Sequence, residues 1–288
     1  MPFFIRRAPV ASVLATVLVA SASLAGCAQA PSSLAGPSDA AFVLVHGAFE
    51  DHAIWDTVAA GLRRAGRQVV VVDLPGRAGG GDADDALTLD RYRDALEARV
   101  SALSGPAVLV GHSFGGITIS NLAEQHPEQV RTLVYLGALL PRDGDSALTL
   151  SHADHANGIA PGSLVLSADH RWGRMLPSDA VARLALFCAD CDAAQAARFQ
   201  GSLVAEPIEP LRTPVHLSAE RYGRVDKVYL ATDQDRVISP PAQQAMLAAT
   251  PVRQVQHLAT SHSPFLSRPD AVVQALLHLD DRSRHDHP

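Results

Sequence analysis

Three short stretches of this chain hold the residue types that nucleophilic catalysis requires. They are Gly111-His112-Ser113-Phe114-Gly115, Thr232-Asp233-Gln234-Asp235 and Thr260-Ser261-His262-Ser263-Pro264. A serine hydroxyl attacks poorly until a base removes its proton, and that base is usually a histidine held by a carboxylate. Acyl transfer is the chemistry such a set performs. Among the later histidines, His257 falls in an apolar run, His278 in a helical pattern, and His285 and His287 in a polar tail, which leaves His262 as the base. Asp233 and Asp235 share one loop and either can orient the imidazole. Asp235 is preferred, and Asp233 then reads as an exposed loop residue or turn cap.

Attack on a carbonyl also needs donors for the developing oxyanion. In Val43-Leu44-Val45-His46-Gly47-Ala48-Phe49 an open turn follows an apolar run, so the N–H of Ala48 can act with that of Phe114. Such donors contribute on the order of 3 kcal/mol each. His46 reads as a brace for this turn rather than as a catalytic group. Phe49, Trp172, Met175 and Phe187 are candidates for a substrate pocket, although aromatic and methionine side chains at such spacing also fill ordinary cores. His152, Asp154 and His155 have metal-ligand residue types but lie in a polar stretch that reads as a solvated loop. No metal and no cofactor is expected.

These groups must be carried by an alternation of short Val-rich runs and longer helical patterns, the sign of βα units and a mostly parallel sheet. Strands are expected at 41–45, 68–73, 107–110, 132–137, 227–231 and 253–258, and helices at 54–65, 88–103, 115–125, 240–249 and 269–279. Ser113 thus falls between a strand and a helix, where Gly-x-Ser-x-Gly forms a sharp turn that exposes the hydroxyl. The rhythm breaks over about 141–225, which reads as a largely helical cap inserted above the carboxyl edge of the sheet. Residues 281–288 form a polar tail.

The chain has 288 residues, 47% hydrophobic and 19% charged, with a net charge of −6. It offers no basic face for phosphates, so nucleic acid is excluded as a partner. Arg6 and Arg7, an uncharged apolar run, and Leu24-Ala25-Gly26-Cys27 make residues 1–26 a signal segment. The closing four residues resemble a bacterial lipobox, with Cys27 lipidated after cleavage. The protein is then exported and held to the cell envelope by acyl chains alone, facing the periplasm or exterior. The alternative is a soluble secreted protein cut after Ala28-Gln29-Ala30. Residues 27–40, rich in Ser, Pro and Gly, read as a flexible tether. Cys188 and Cys191 can form a small disulfide or stay as two thiols.

The runs Phe42-Val43-Leu44-Val45-His46-Gly47-Ala48, Val110-Gly111-His112-Ser113-Phe114-Gly115-Gly116 and 228–235, with His262 beyond, resemble the plant methylesterase and hydroxynitrile lyase family and its bacterial esterase relatives, in the α/β-hydrolase superfamily. The resemblance spans 41–279 and is weak through the insertion. It implies an α/β-hydrolase fold and hydrolysis of small carboxylic esters, with no cofactor. Ser113, Asp235 and His262 would be the triad, and Ala48 and Phe114 the oxyanion donors. It also supports Asp235 over Asp233. The lyase branch carries a Thr where Gly47 stands and a Lys where Ser263 stands. Without that positive charge, departing cyanide loses its electrostatic support. A hydroxynitrile-lyase-like enzyme and a non-hydrolytic ligand-binding protein of the same fold are the alternatives.

Overall fold

The computed structural model describes residues 40–77, 87–175 and 180–285. The signal segment, Cys27 and nearly all of the tether lie outside the described residues. In chain order the strands are β1 (Phe42–Val45), β2 (Val69–Val72), β3 (Ala107–His112), β4 (Val130–Leu136), β5 (Leu164–Leu166), β6 (Trp172–Met175), β7 (Glu206–Pro207), β8 (Asp226–Thr232) and β9 (Gln254–Leu258). Six of them form one sheet in the order β2-β1-β3-β4-β8-β9, with every pairing parallel.

Strand residues alternate between two cores, one on each face of this sheet. Val43, Leu109, Tyr135 and Tyr229 enter one; Phe42, Leu44, Val110, Val134 and Leu230 enter the other. Continuous apolar runs suit strands covered on both faces. The helices α1 (Asp56–Arg64), α2 (Leu89–Val100) and α3 (Gly115–Gln125) follow the first three strands. α1 packs close to the C-terminal helix, so close that a Cβ on Gly61 would stand 2.6 Å from Val273.

The insertion holds α4 (Ala147–Ala153), α5 (Ala180–Phe187), α6 (Ala193–Ser202) and α7 (Ile208–Arg212). It is helical as expected, but it also contains an antiparallel sheet, β5-β6-β7, that the sequence did not reveal. Strands of two to four residues, one containing Pro207 and another Gly173, are too short to show alternation. Cys188 and Cys191 are joined in a disulfide at the turn between α5 and α6.

After β8 comes α8 (Pro240–Ala249), capped by the Ser239 hydroxyl with proline in its first turn. α9 (Pro264–Ser267) and α10 (Pro269–His285) complete the chain, and α10 continues into the stretch expected as a polar tail. Among the described residues no helix is long and apolar enough to cross a membrane.

Candidate active site

Ser113 occupies the turn from β3 into α3 with a left-handed backbone, φ 51°. Such a conformation costs a non-glycine residue roughly 1–2 kcal/mol. The Ser113 carbonyl is fixed by the N–H groups of Gly116 (3.1 Å) and Leu139 (3.0 Å). Its neighbours have to be glycine: a Cβ on Gly111 would lie 2.6 Å from the Gly115 carbonyl oxygen, and one on Gly115 would lie 2.8 Å from that of Val45. Both glycines of the motif are therefore dictated by how closely strand and helix approach.

His262 follows β9, and its Nδ1 donates to Asp235 Oδ2 at 2.8 Å, with both side chains buried. That bond fixes the tautomer and leaves Nε2 unprotonated and free to accept a proton. Among the described residues the ring makes no other hydrogen bond. Asp235 is itself held by Thr232 Oγ1 (2.7 Å) and by the N–H groups of Val237 (2.8 Å) and Ile238 (2.9 Å). Asp233 instead meets His257 at the surface, 2.7 Å apart. The structure thus brings Asp235 to the imidazole and leaves Asp233 outside.

A second histidine stands behind the first. His112, next to Ser113 in the chain, donates through Nε2 to the His262 carbonyl at 2.9 Å, and the two rings lie 4.6 Å apart. Its Nδ1 bonds Glu50 Oε2 at 3.0 Å, and the same oxygen accepts the Gly47 N–H at 2.9 Å. Burial works against a charged His112, but the adjacent Glu50 carboxylate outweighs it and raises the pKa. Burial pushes the Glu50 carboxyl upward, and His112 prevails to lower it. The two groups therefore form a buried ion pair linking the Gly47 turn, the Ser113 turn and the His262 loop. Removing one partner of such a pair costs about 3–5 kcal/mol. Sequence reasoning missed Glu50, because its partner lies 62 positions away.

His46 is a brace, as its position suggested. Its Nδ1 donates to the Gly47 carbonyl (2.9 Å) and its Nε2 accepts the Leu74 N–H (3.1 Å). Burial, helped by the Arg77 charge, drives its pKa down to about 3 and keeps it neutral. Among the described residues neither the Ala48 N–H nor the Phe114 N–H has an acceptor. Gly47 has no room for a side chain, since a Cβ there would stand 2.9 Å from Ser113 Cβ and 2.8 Å from Glu50 Oε2.

Ser113, Ala48 and Phe114 open onto a cavity of about 440 Å³ lined by Leu139, Leu140, Ile159, Leu211, Ile238 and Met246. Its ionic groups are already engaged: Arg142 pairs with Asp145 at 3.3 Å, and Asp154 accepts from the Ser239 N–H and hydroxyl. Phe49 and Met175 line this space. Two other pocket candidates do not. Trp172 shares β6 with Met175, but three positions apart in a strand means opposite faces. It lines a separate cavity with Leu87, His170 and Arg171. Phe187 packs its ring against the His262 ring, 5.7 Å between centroids.

A parallel sheet with Ser113 at the turn after β3, a buried His262–Asp235 pair after β9 and β8, and an inserted cap is a hydrolase architecture. The model of the alpha/beta hydrolase family matches residues 42–275, and the chain belongs to that family. Methyl jasmonate esterase 1 of Vitis vinifera is 27% identical over 248 residues, covering 79% of this chain and 92% of the relative. Alpha-hydroxynitrile lyase of Arabidopsis thaliana is 31% identical over 252 residues, covering 82% and 95%. The crystal structure of a pyrethroid hydrolase from Sphingobium faniae JZ-2 shares the fold, with a TM-score of 0.75 and 24% identity over 84% of this chain and 97% of that one.

Proposed function

We propose that this chain is a serine carboxylesterase acting on small, uncharged, apolar esters through an acyl-enzyme. The observation that carries this reading is that Ser113, on its strained turn, faces an apolar cavity whose ionic side chains are engaged with other protein groups, while the His262–Asp235 pair is buried. His262 Nε2 takes the Ser113 proton as Oγ attacks the ester carbonyl. The N–H groups of Ala48 and Phe114 hold the oxyanion. Collapse expels the alcohol, which takes the proton from His262. Water then repeats the attack through the same base and frees the carboxylic acid. No cofactor enters the cycle. The similarity to the methyl jasmonate esterase named above supports ester hydrolysis.

A fluorophosphonate probe should label Ser113 alone, and an ester panel graded in size and charge should show turnover of neutral apolar members. Absence of label at Ser113, or tight ligand binding without turnover of any ester, would reject the esterase reading. The similarity to a hydroxynitrile lyase keeps cyanohydrin cleavage as the second reading, tested by cyanide release. Against it, Ser263 is buried where the lyase branch carries Lys, and Gly47 is closely packed where it carries Thr.

The lipobox-like Leu24-Ala25-Gly26-Cys27 supports a lipidated Cys27 and an envelope-anchored enzyme. Inhibiting lipoprotein signal peptidase should leave an uncleaved precursor in cells, and unchanged maturation would instead indicate the soluble secreted form.

A further inference from the structure

The cap meets the oxyanion turn at Phe49, a residue held at φ 63°. A non-glycine residue stays in that conformation only where its surroundings enforce it. The Phe49 N–H donates to Glu206 Oε2 at 2.7 Å, and the Phe49 carbonyl accepts the Val204 N–H at 2.8 Å. Both peptide groups of Phe49 are therefore tied to the segment entering β7. Glu206 is fully buried, and its charge is met by Arg77 at 2.7 Å and by the Tyr92 hydroxyl at 3.1 Å. Burial outweighs its three donors and raises its pKa above the usual carboxylate value, while Arg77, the Phe49 N–H and the Tyr92 hydroxyl each favour the ionised form. Arg77 in turn donates to the Ala205 carbonyl and lies over the Tyr92 ring. On the other side of Ala48, the Gly47 N–H is taken by Glu50. Two buried carboxylates thus occupy the amides before and after Ala48, and the Ala48 N–H is the one left over.

We propose that Glu206 is a positioning residue for the oxyanion site. By accepting the Phe49 N–H it holds the strained turn in the shape that keeps the Ala48 N–H directed at the carbonyl oxygen under attack. This rests on the reading of Ala48 as an oxyanion donor. A residue of the cap then contributes to transition-state stabilisation without touching substrate, and β7 does more than cover the cleft.

Two uncharged double variants test the idea. Arg77→Met with Glu206→Gln and Arg77→Met with Glu206→Met both remove the ion pair, so neither leaves an unpaired buried charge. They differ in that Gln keeps an acceptor for the Phe49 N–H and Met does not. With thermal melts confirming that both fold, the Met pair should fall roughly thirtyfold below the Gln pair in kcat with KM unchanged, a partial loss of one oxyanion donor. A trifluoromethyl ketone, whose adduct carries the same oxyanion, should lose affinity in the same proportion. A non-reacting ether of the same shape should bind both variants equally. Glu206→Leu in the same background serves if the Met pair does not fold. Equal kcat in the two variants, or a loss in kcat that the ketone does not follow, would overturn the proposal. If wild-type protein turns over esters while the variants behave alike, positioning alone fails. If wild-type protein turns over none, the esterase reading fails first.

Discussion

Ser113→Ala is expected to lower kcat for p-nitrophenyl acetate by about 10⁵- to 10⁶-fold, the scale seen when a triad serine is removed. The fold should survive. The turn is held through the Ser113 carbonyl, which Gly116 and Leu139 continue to bond, and alanine tolerates φ 51° about as well as serine. The melting temperature should therefore stay within a few degrees while activity and fluorophosphonate labelling disappear. What remains should be the small catalysis that oriented amides supply without a nucleophile. Retention of even about 1% of wild-type kcat by a clean preparation would remove Ser113 from the mechanism.

Asp235→Asn should lower kcat by about 10⁴-fold, whereas Asp233→Asn should leave it within about twofold. The asymmetry follows from the hydrogen bonds. In the Asp235→Asn variant the amide oxygen would keep the Val237 and Ile238 N–H groups that Asp235 Oδ1 now accepts, so the amide NH₂ would be forced toward His262 Nδ1. A donor facing Nδ1 selects the Nε2–H tautomer, which cannot take the serine proton. Asp233 lies at the surface against His257 and has no path to the base. Comparing the two variants under saturating ester decides the assignment, and a large loss in Asp233→Asn would reverse it.

The parts of this molecule readable from sequence are those whose cause is local. The Val69–Val72 run suited a strand and forms one, at the sheet edge with three of its four residues half-buried, and Gly111 and Gly115 flank a serine where strand and helix nearly touch. Pro240 and Pro269 marked helix starts for the same local reason. Asp235 was preferred over Asp233, with support from the resemblance, but two residues in one loop reveal their directions only when the loop is folded. The cap resisted reading for a different reason. Trp172 and Met175 have a helical spacing, yet they lie in a four-residue strand that sends them to opposite sides. Glu50 and Glu206 look in sequence like any surface acid. Their roles depend on partners 62 and 157 positions away, which no local pattern records.

The wall of the apolar cavity is supplied largely by stretches that hold no reacting atom, among them α4, β5, α7 and α8. Side chains there can be exchanged to admit a new ester without disturbing the reaction. A wholesale exchange is another matter. A foreign cap grafted between β4 and β8 would inherit the job of gripping residue 49 from above, so chimeras should succeed or fail according to whether the donor brings an acceptor to that one amide. Substrate range in this enzyme can drift one side chain at a time, and it cannot be transplanted without that single bond.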